Sequence, residues 1–149
     1  MFERLKSMME APMDLLLLAD SSVKRVYRYL EEGMCMLYKE KGEVIGCYVL
    51  MKRDDARIEL MNIAVCEQHQ GKGVGKFLLN HAINYASQHQ YQDIIVGTGN
   101  SSLNQIAFYQ KAGFRLVDIT FDFFVQDNEP LIYENGIWCR DMLRFVKKL

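Results

Sequence analysis

The chain has 149 residues, half of them apolar, with a formal net charge of −1 and a pI near 6.3. That length supports one domain with a real core, spanning residues 1–149, rather than two, and the scattered, balanced charge offers no basic field to attract nucleic acid. The apolar run Leu15-Leu16-Leu17-Leu18 is far too short to span a bilayer or to form a signal-peptide core, so a cytoplasmic protein with neither nucleic acid nor membrane as partner is expected.

Pro12 opens a short helix over 13–18, and Asp20-Ser21-Ser22 caps a second with Val23, Val26, Tyr27 and Leu30 on one face and Gly33 as its stop. Two strand-like runs, 34–38 and 44–51, are joined by a hairpin turning at Gly42, and Arg53-Asp54-Asp55 marks a second hairpin into a central strand over 57–65. Val74, Leu78, Ala82, Tyr85 and Ala86 recur at helical spacing and predict a helix over 73–88. Ile94-Ile95-Val96 reads as a buried parallel strand, and 102–112 as a helix ended by Gly113. Two last strands, 114–124 and 136–145, enclose a charged segment with Pro130, where a further turn or short helix is expected, and Asn135-Gly136 is a tight-turn signal. Helices, hairpin-linked strands, helix, strand, helix and a strand pair make a mixed α+β order without repeats or linkers. Cys35, Cys47, Cys66 and Cys139 show neither C-x-x-C nor zinc spacing, which favours reduced thiols and no metal.

Gln70-Gly71-Lys72-Gly73-Val74-Gly75-Lys76 carries three glycines at alternate positions ahead of the 73–88 helix. Chain without Cβ atoms can turn sharply and set successive N–H groups against an anion at the positive end of the following helix. The spacing G-x-G-x-G is not the G-x-G-x-x-G of dinucleotide folds. Nor is it a P-loop, because only three residues separate Gly71 from Gly75 and Phe77 follows Lys76.

Gln70-x-x-Gly73-x-Gly75 resembles the acetyl-CoA signature of the GNAT N-acetyltransferase superfamily. Glu59-Leu-Met-Asn-Ile-Ala-Val65 resembles that family's central strand, and Ala107-Phe-Tyr-Gln-Lys-Ala-Gly-Phe114 its A-x-x-Y-x-K-x-G-F block. The resemblance runs from about residue 44 onward. It implies the GNAT fold, a central mixed and mostly antiparallel sheet flanked by helices, with two parallel strands splayed beyond the glycine turn. Acetyl-CoA would be the cosubstrate. Its pantetheine arm would pair with the backbone of Ile63, Ala64 and Val65, and its pyrophosphate would rest on Gln70, Gly71, Lys72, Gly73, Val74, Gly75 and Lys76. Charge from Lys72 and Lys76, or plain solvent exposure, fits either lysine. Asn100 and Asn104 both flank the place where the family uses one asparagine on the cofactor.

Acetyl transfer to an amine needs a neutral nucleophile and a proton for the departing thiolate. Strand alternation sets Glu59 on one face with Met61, Ile63 and Val65, where a partly desolvated carboxylate would serve as base, directly or through water. A structural pairing with Arg57 or Lys52 is the alternative. Tyr109 takes the family's general-acid position, a core tyrosine being the other reading. The chemistry expected is acetyl transfer to a primary amine of a small molecule or peptide, with a homodimer as the assembly. A non-catalytic acyl-CoA sensor and a protein-modifying acetyltransferase are the competing functions. Asp122, Asp127, Glu129 and Glu134 hint at a cationic acceptor.

Overall fold

Residues 1–127 and 129–149 are described by the computed structural model, and they fall into two units, 1–92 with 149, and 93–148. Nine strands and four α-helices among the described residues make the chain α+β, as expected. In the first unit, strand β1 (Phe2–Arg4) precedes helices α1 (Met13–Ala19) and α2 (Val23–Glu32), strands β2 (Met34–Glu40), β3 (Glu43–Lys52) and β4 (Arg57–Val65), and helix α3 (Val74–Gln88). The strands run β1-β2-β3-β4, each pair antiparallel. Ser22 caps α2, its hydroxyl accepting from the Arg25 N–H at 3.2 Å. Asp54 closes the second hairpin by accepting from the N–H groups of Ala56 and Arg57 at 2.9 and 2.8 Å.

Strand β3 is buried from 45 to 51 because both of its faces are covered, which is why its sequence reads as an unbroken apolar run. On one face Cys47, Val49 and Met51 pack with Leu15, Leu16, Val26, Tyr29 and Leu30 of α1 and α2. On the other, Gly46 lies against the Leu78 side chain of α3, and the Tyr48 hydroxyl bonds His81 Nδ1 at 2.8 Å. The short β1 was not legible in the sequence. Its Phe2 ring stacks on His81 at 3.5 Å between centroids.

That setting carries a pH prediction. Burial lowers the His81 pKa below the usual 6.5, so the folded state favours the neutral ring. The unfolded chain therefore binds more protons, and the contribution is present above pH 6.5 and lost as pH falls through the lowered value. Replacing His81 by Gln is expected to flatten the acid-side loss of thermal stability, measured as melting temperature against pH.

The second unit holds β5 (Asp93–Gly99), helix α4 (Leu103–Lys111), β6 (Arg115–Thr120), β7 (Tyr133–Glu134), β8 (Ile137–Trp138) and β9 (Met142–Lys148). Its strands run β5-β9-β6, both pairs antiparallel, and β7 and β8 form a separate ribbon. Asn135 and Gly136 turn that ribbon with φ of 55° and 73°, the tight turn their pairing predicts. Three expectations change here. Strand β5 runs past Val96 to Gly99, and β6 stops at Thr120 instead of reaching 124. There Asp122 adopts φ 58°, its N–H held by Asp141 Oδ1 at 2.9 Å and its carboxylate by Arg140 at 2.7 Å. The expected strand over 136–145 divides into β8 and β9, because Asn100 Oδ1 takes the N–H groups of Arg140 and Asp141, at 2.9 and 3.0 Å, out of any ladder.

Candidate active site

The glycine turn leaves β4 through a short 3-10 turn over Glu67–His69 and enters α3 at Val74. Gly71 and Gly73 have φ of 76° and 82°, conformations that a side chain rarely adopts, and a Cβ on either would meet nothing within 4 Å. The turn thus presents bare backbone to open space. The N–H groups of Gly73, Val74, Gly75 and Lys76 have no partner among the described residues, as the first turn of a helix requires, and no side chain caps them. Gln70 ties the turn to the strand end, its Nε2 donating to the Val65 carbonyl at 3.0 Å. Lys72 and Lys76 are exposed and form no ion pair among the described residues. Free amides, a helix dipole and two unpaired cations fit a phosphate-bearing ligand.

Strand β4 departs from simple alternation. Asn62 lies opposite Val49 but Leu60 lies opposite Leu50, so Met61 is an extra residue, a β-bulge. The consequence falls on Glu59. Its cross-strand partner is Met51, whereas Ile63 and Val65 pair with Tyr48 and Gly46, on the opposite face of β3. The expected face shared by Glu59, Ile63 and Val65 is therefore corrected: Glu59 lies with Asn62 and Ala64 on the α1 and α2 side, while Ile63 and Val65 lie on the α3 side. Glu59 is only 7% exposed, and its ion-pair partner is Arg53, not Arg57 or Lys52, with Nε to Oε1 at 2.8 Å. Asn62, 4% exposed, donates Nδ2 to the Leu16 carbonyl at 3.0 Å and to the Tyr29 hydroxyl at 2.8 Å. The Tyr29 hydroxyl donates in turn to Asp20 at 3.3 Å, and Asp20 is gripped by Arg25 through two bonds of 2.9 Å. Burial and the Asp20 carboxylate push the Tyr29 phenol pKa well up, so it stays a donor. Arg53 and Asn62 were both missed from sequence, since nothing local marks either one.

In the second unit, Tyr109 is 5% exposed among Phe108, Phe114 and Phe145. Its hydroxyl makes no hydrogen bond among the described residues and is not one of the sealed, unpartnered polar atoms, so it retains contact with solvent. Burial raises its pKa, which keeps the phenol protonated. Asn100 is largely committed, donating Nδ2 to the Trp138 carbonyl at 3.0 Å while its Oδ1 holds the β9 approach. Asn104 is exposed and unbonded. The acidic residues split likewise. Asp122 pairs with Arg140, and Glu134 accepts from Ser101 and Ser102 at 3.1 and 2.8 Å, while Asp127 and Glu129 are exposed. All four cysteines are free thiols, and no group of three or more metal-ligating side chains occurs among the described residues. No helix among them is long and apolar enough to cross a membrane.

Residues 5–114 match the model of the Acetyltransferase (GNAT) family. The chain belongs to this family. It is 48% identical over 136 residues to the uncharacterized N-acetyltransferase YvbK of Bacillus subtilis, covering 91% of this chain and 88% of YvbK. A GNAT acetyltransferase from Elizabethkingia anophelis, solved with acetyl-CoA bound, superposes with a TM-score of 0.95 at 42% identity, covering 100% of this chain and 97% of that one. A Bacillus subtilis acetyltransferase in complex with CoA gives 0.92 at 44% identity, covering 99% and 97%. The GNAT fold is thereby shown, and the GNAT match contains the glycine turn and runs to Phe114, the end of the block that holds Tyr109.

Proposed function

We propose that residues 1–149 work as a single acetyl-CoA-dependent N-acetyltransferase domain, passing the acetyl group directly to a primary amine of a small molecule or peptide. The observation that carries this reading is the turn of bare, unbonded amides at Gly73–Lys76, in a chain so similar to proteins solved with acetyl-CoA or CoA. Gln70, Gly71, Lys72, Gly73, Val74, Gly75 and Lys76 would hold the pyrophosphate, and the backbone of Ile63, Ala64 and Val65 the pantetheine arm. Asn104, with its amide free, suits a cofactor contact better than Asn100, which has a single N–H left.

In the reaction the amine nitrogen bonds the thioester carbon and the carbon–sulfur bond breaks. The amine proton passes to Glu59, directly or through water, and the CoA thiolate takes one from Tyr109. Arg53 bonds Oε1 of Glu59, which leaves Oε2 to meet the amine or the water. Glu59→Gln is expected to lower kcat/KM by roughly tenfold to a thousandfold. An unaltered pH–rate profile in that variant would assign Glu59 to holding Arg53 alone.

A panel of amines, polyamines, aminoglycosides and peptides, scored by CoA release, tests the whole reading. Turnover of any of them supports it. Tight acetyl-CoA binding without turnover across the panel would favour a non-catalytic acyl-CoA sensor.

A further inference from the structure

Two buried side-chain oxygens among the described residues have no hydrogen-bond donor, Asn62 Oδ1 and Asp93 Oδ1. Lys148 Nζ lies 3.2 Å from the second, and nothing comparable serves the first. A sealed, unpaired acceptor costs about 1–3 kcal/mol. Packing does not require it. A leucine at 62 would leave no group orphaned, because the Leu16 carbonyl keeps the Asp20 N–H at 3.2 Å and the Tyr29 hydroxyl keeps Asp20 Oδ2 at 3.3 Å.

The bulge gives Asn62 a neighbour on its face of the strand. Glu59 and Asn62 face Met51 and Val49, two residues apart on β3, so they are successive side chains on one face. Such neighbours stand about 6.6 Å apart along a strand. One nitrogen with a hydrogen bond of about 2.9 Å to each side spans at most about 5.8 Å, so the two side chains share it by leaning together by about 1 Å. We propose that Asn62 Oδ1 and the Glu59 carboxylate form a two-oxygen seat for the nitrogen of a primary amine. The proposal rests on the acetyltransferase reading. A primary amine has two N–H groups: one bonds Asn62, the other bonds Glu59 and leaves as the proton when the nitrogen has bonded the acyl carbon. A secondary amine has one N–H and leaves an oxygen unpaired, so the seat selects for primary amines. The seat lies on the face of β4 that α1 and α2 cover, where Asn62 Nδ2 already bonds the Leu16 carbonyl and the Tyr29 hydroxyl.

The test pairs a primary amine that the wild-type protein acetylates with its N-methyl derivative, on wild type and Asn62→Leu. Wild type is expected to prefer the primary amine by at least about tenfold. Asn62→Leu should raise KM for the primary amine about tenfold and bring the pair within about twofold, with the melting temperature unchanged or raised and acetyl-CoA affinity unchanged. Equal losses on both amines, or an unchanged KM, would overturn the seat while leaving the acetyltransferase reading in place. A wild type that binds acetyl-CoA and acetylates no amine would overturn that reading and the seat with it. If Asn62→Leu does not fold, Asn62→Ser, which also lacks Oδ1, is held to the same levelling of preference.

Discussion

Gly75→Asp is expected to weaken acetyl-CoA binding by about a hundredfold while leaving the melting temperature unchanged or slightly raised. Both signs come from one charge. Position 75 lies in the first turn of α3, which has no acidic residue of its own, and a carboxylate beside the positive end of a helix stabilises it by about 0.3–1 kcal/mol. Aspartate is also a somewhat better helix former than glycine. The same carboxylate competes for the unbonded amides that a pyrophosphate would use. At about 5 Å and an effective dielectric near 20, two like charges repel by about 3 kcal/mol, which is about a hundredfold in affinity. Calorimetry on the folded variant reads it directly. Wild-type affinity there would remove the anion site from this turn.

Tyr109→Phe is expected to slow acetyl transfer by about tenfold to a hundredfold without a change in stability beyond about 0.5 kcal/mol. The ring packs 5.7 Å from Phe114 and 6.4 Å from Phe145 between centroids, and phenylalanine keeps those contacts. The hydroxyl has no hydrogen-bond partner among the described residues, so its loss orphans nothing. A thiolate is a stable leaving group, which sets the effect in the lower part of the range for general acids. Single-turnover kinetics with an accepted amine separates the chemical step from product release. Chemistry at the wild-type rate would mean that water or another donor protonates the thiolate.

What could be read from the sequence was what local chemistry decides. The positive φ at Gly71 and Gly73 follows from the residue type, the α3 stripe from its period, and the Asn135-Gly136 ribbon from its turn residues. The bulge at Met61 could not be read. An extra residue in one strand is defined only against the partner strand, and Leu60-Met61-Asn62 contains no glycine or proline to mark it. That single residue moved Glu59 to the other face. Asn100 was ambiguous for the same reason, since the groups that occupy its amide lie about forty residues further along the chain. Strand β1, three residues long, is too short to show a period and exists through its pairing with β2.

Strand β9 lies between β5 and β6, although it is made after both. During synthesis β5, α4 and β6 are complete while the strand that joins them is still to be translated. Leu116 and Val117, at least half exposed even in the finished fold, then lie on a strand whose one neighbour, β9, is not yet in place. The first unit faces no such delay, since each strand from β2 to β4 pairs with the one made just before it. This order of pairing predicts folding in step with translation through β4 and a second unit that waits for β9. A chain stalled between residues 120 and 142 is the species most exposed to aggregation and most dependent on chaperones.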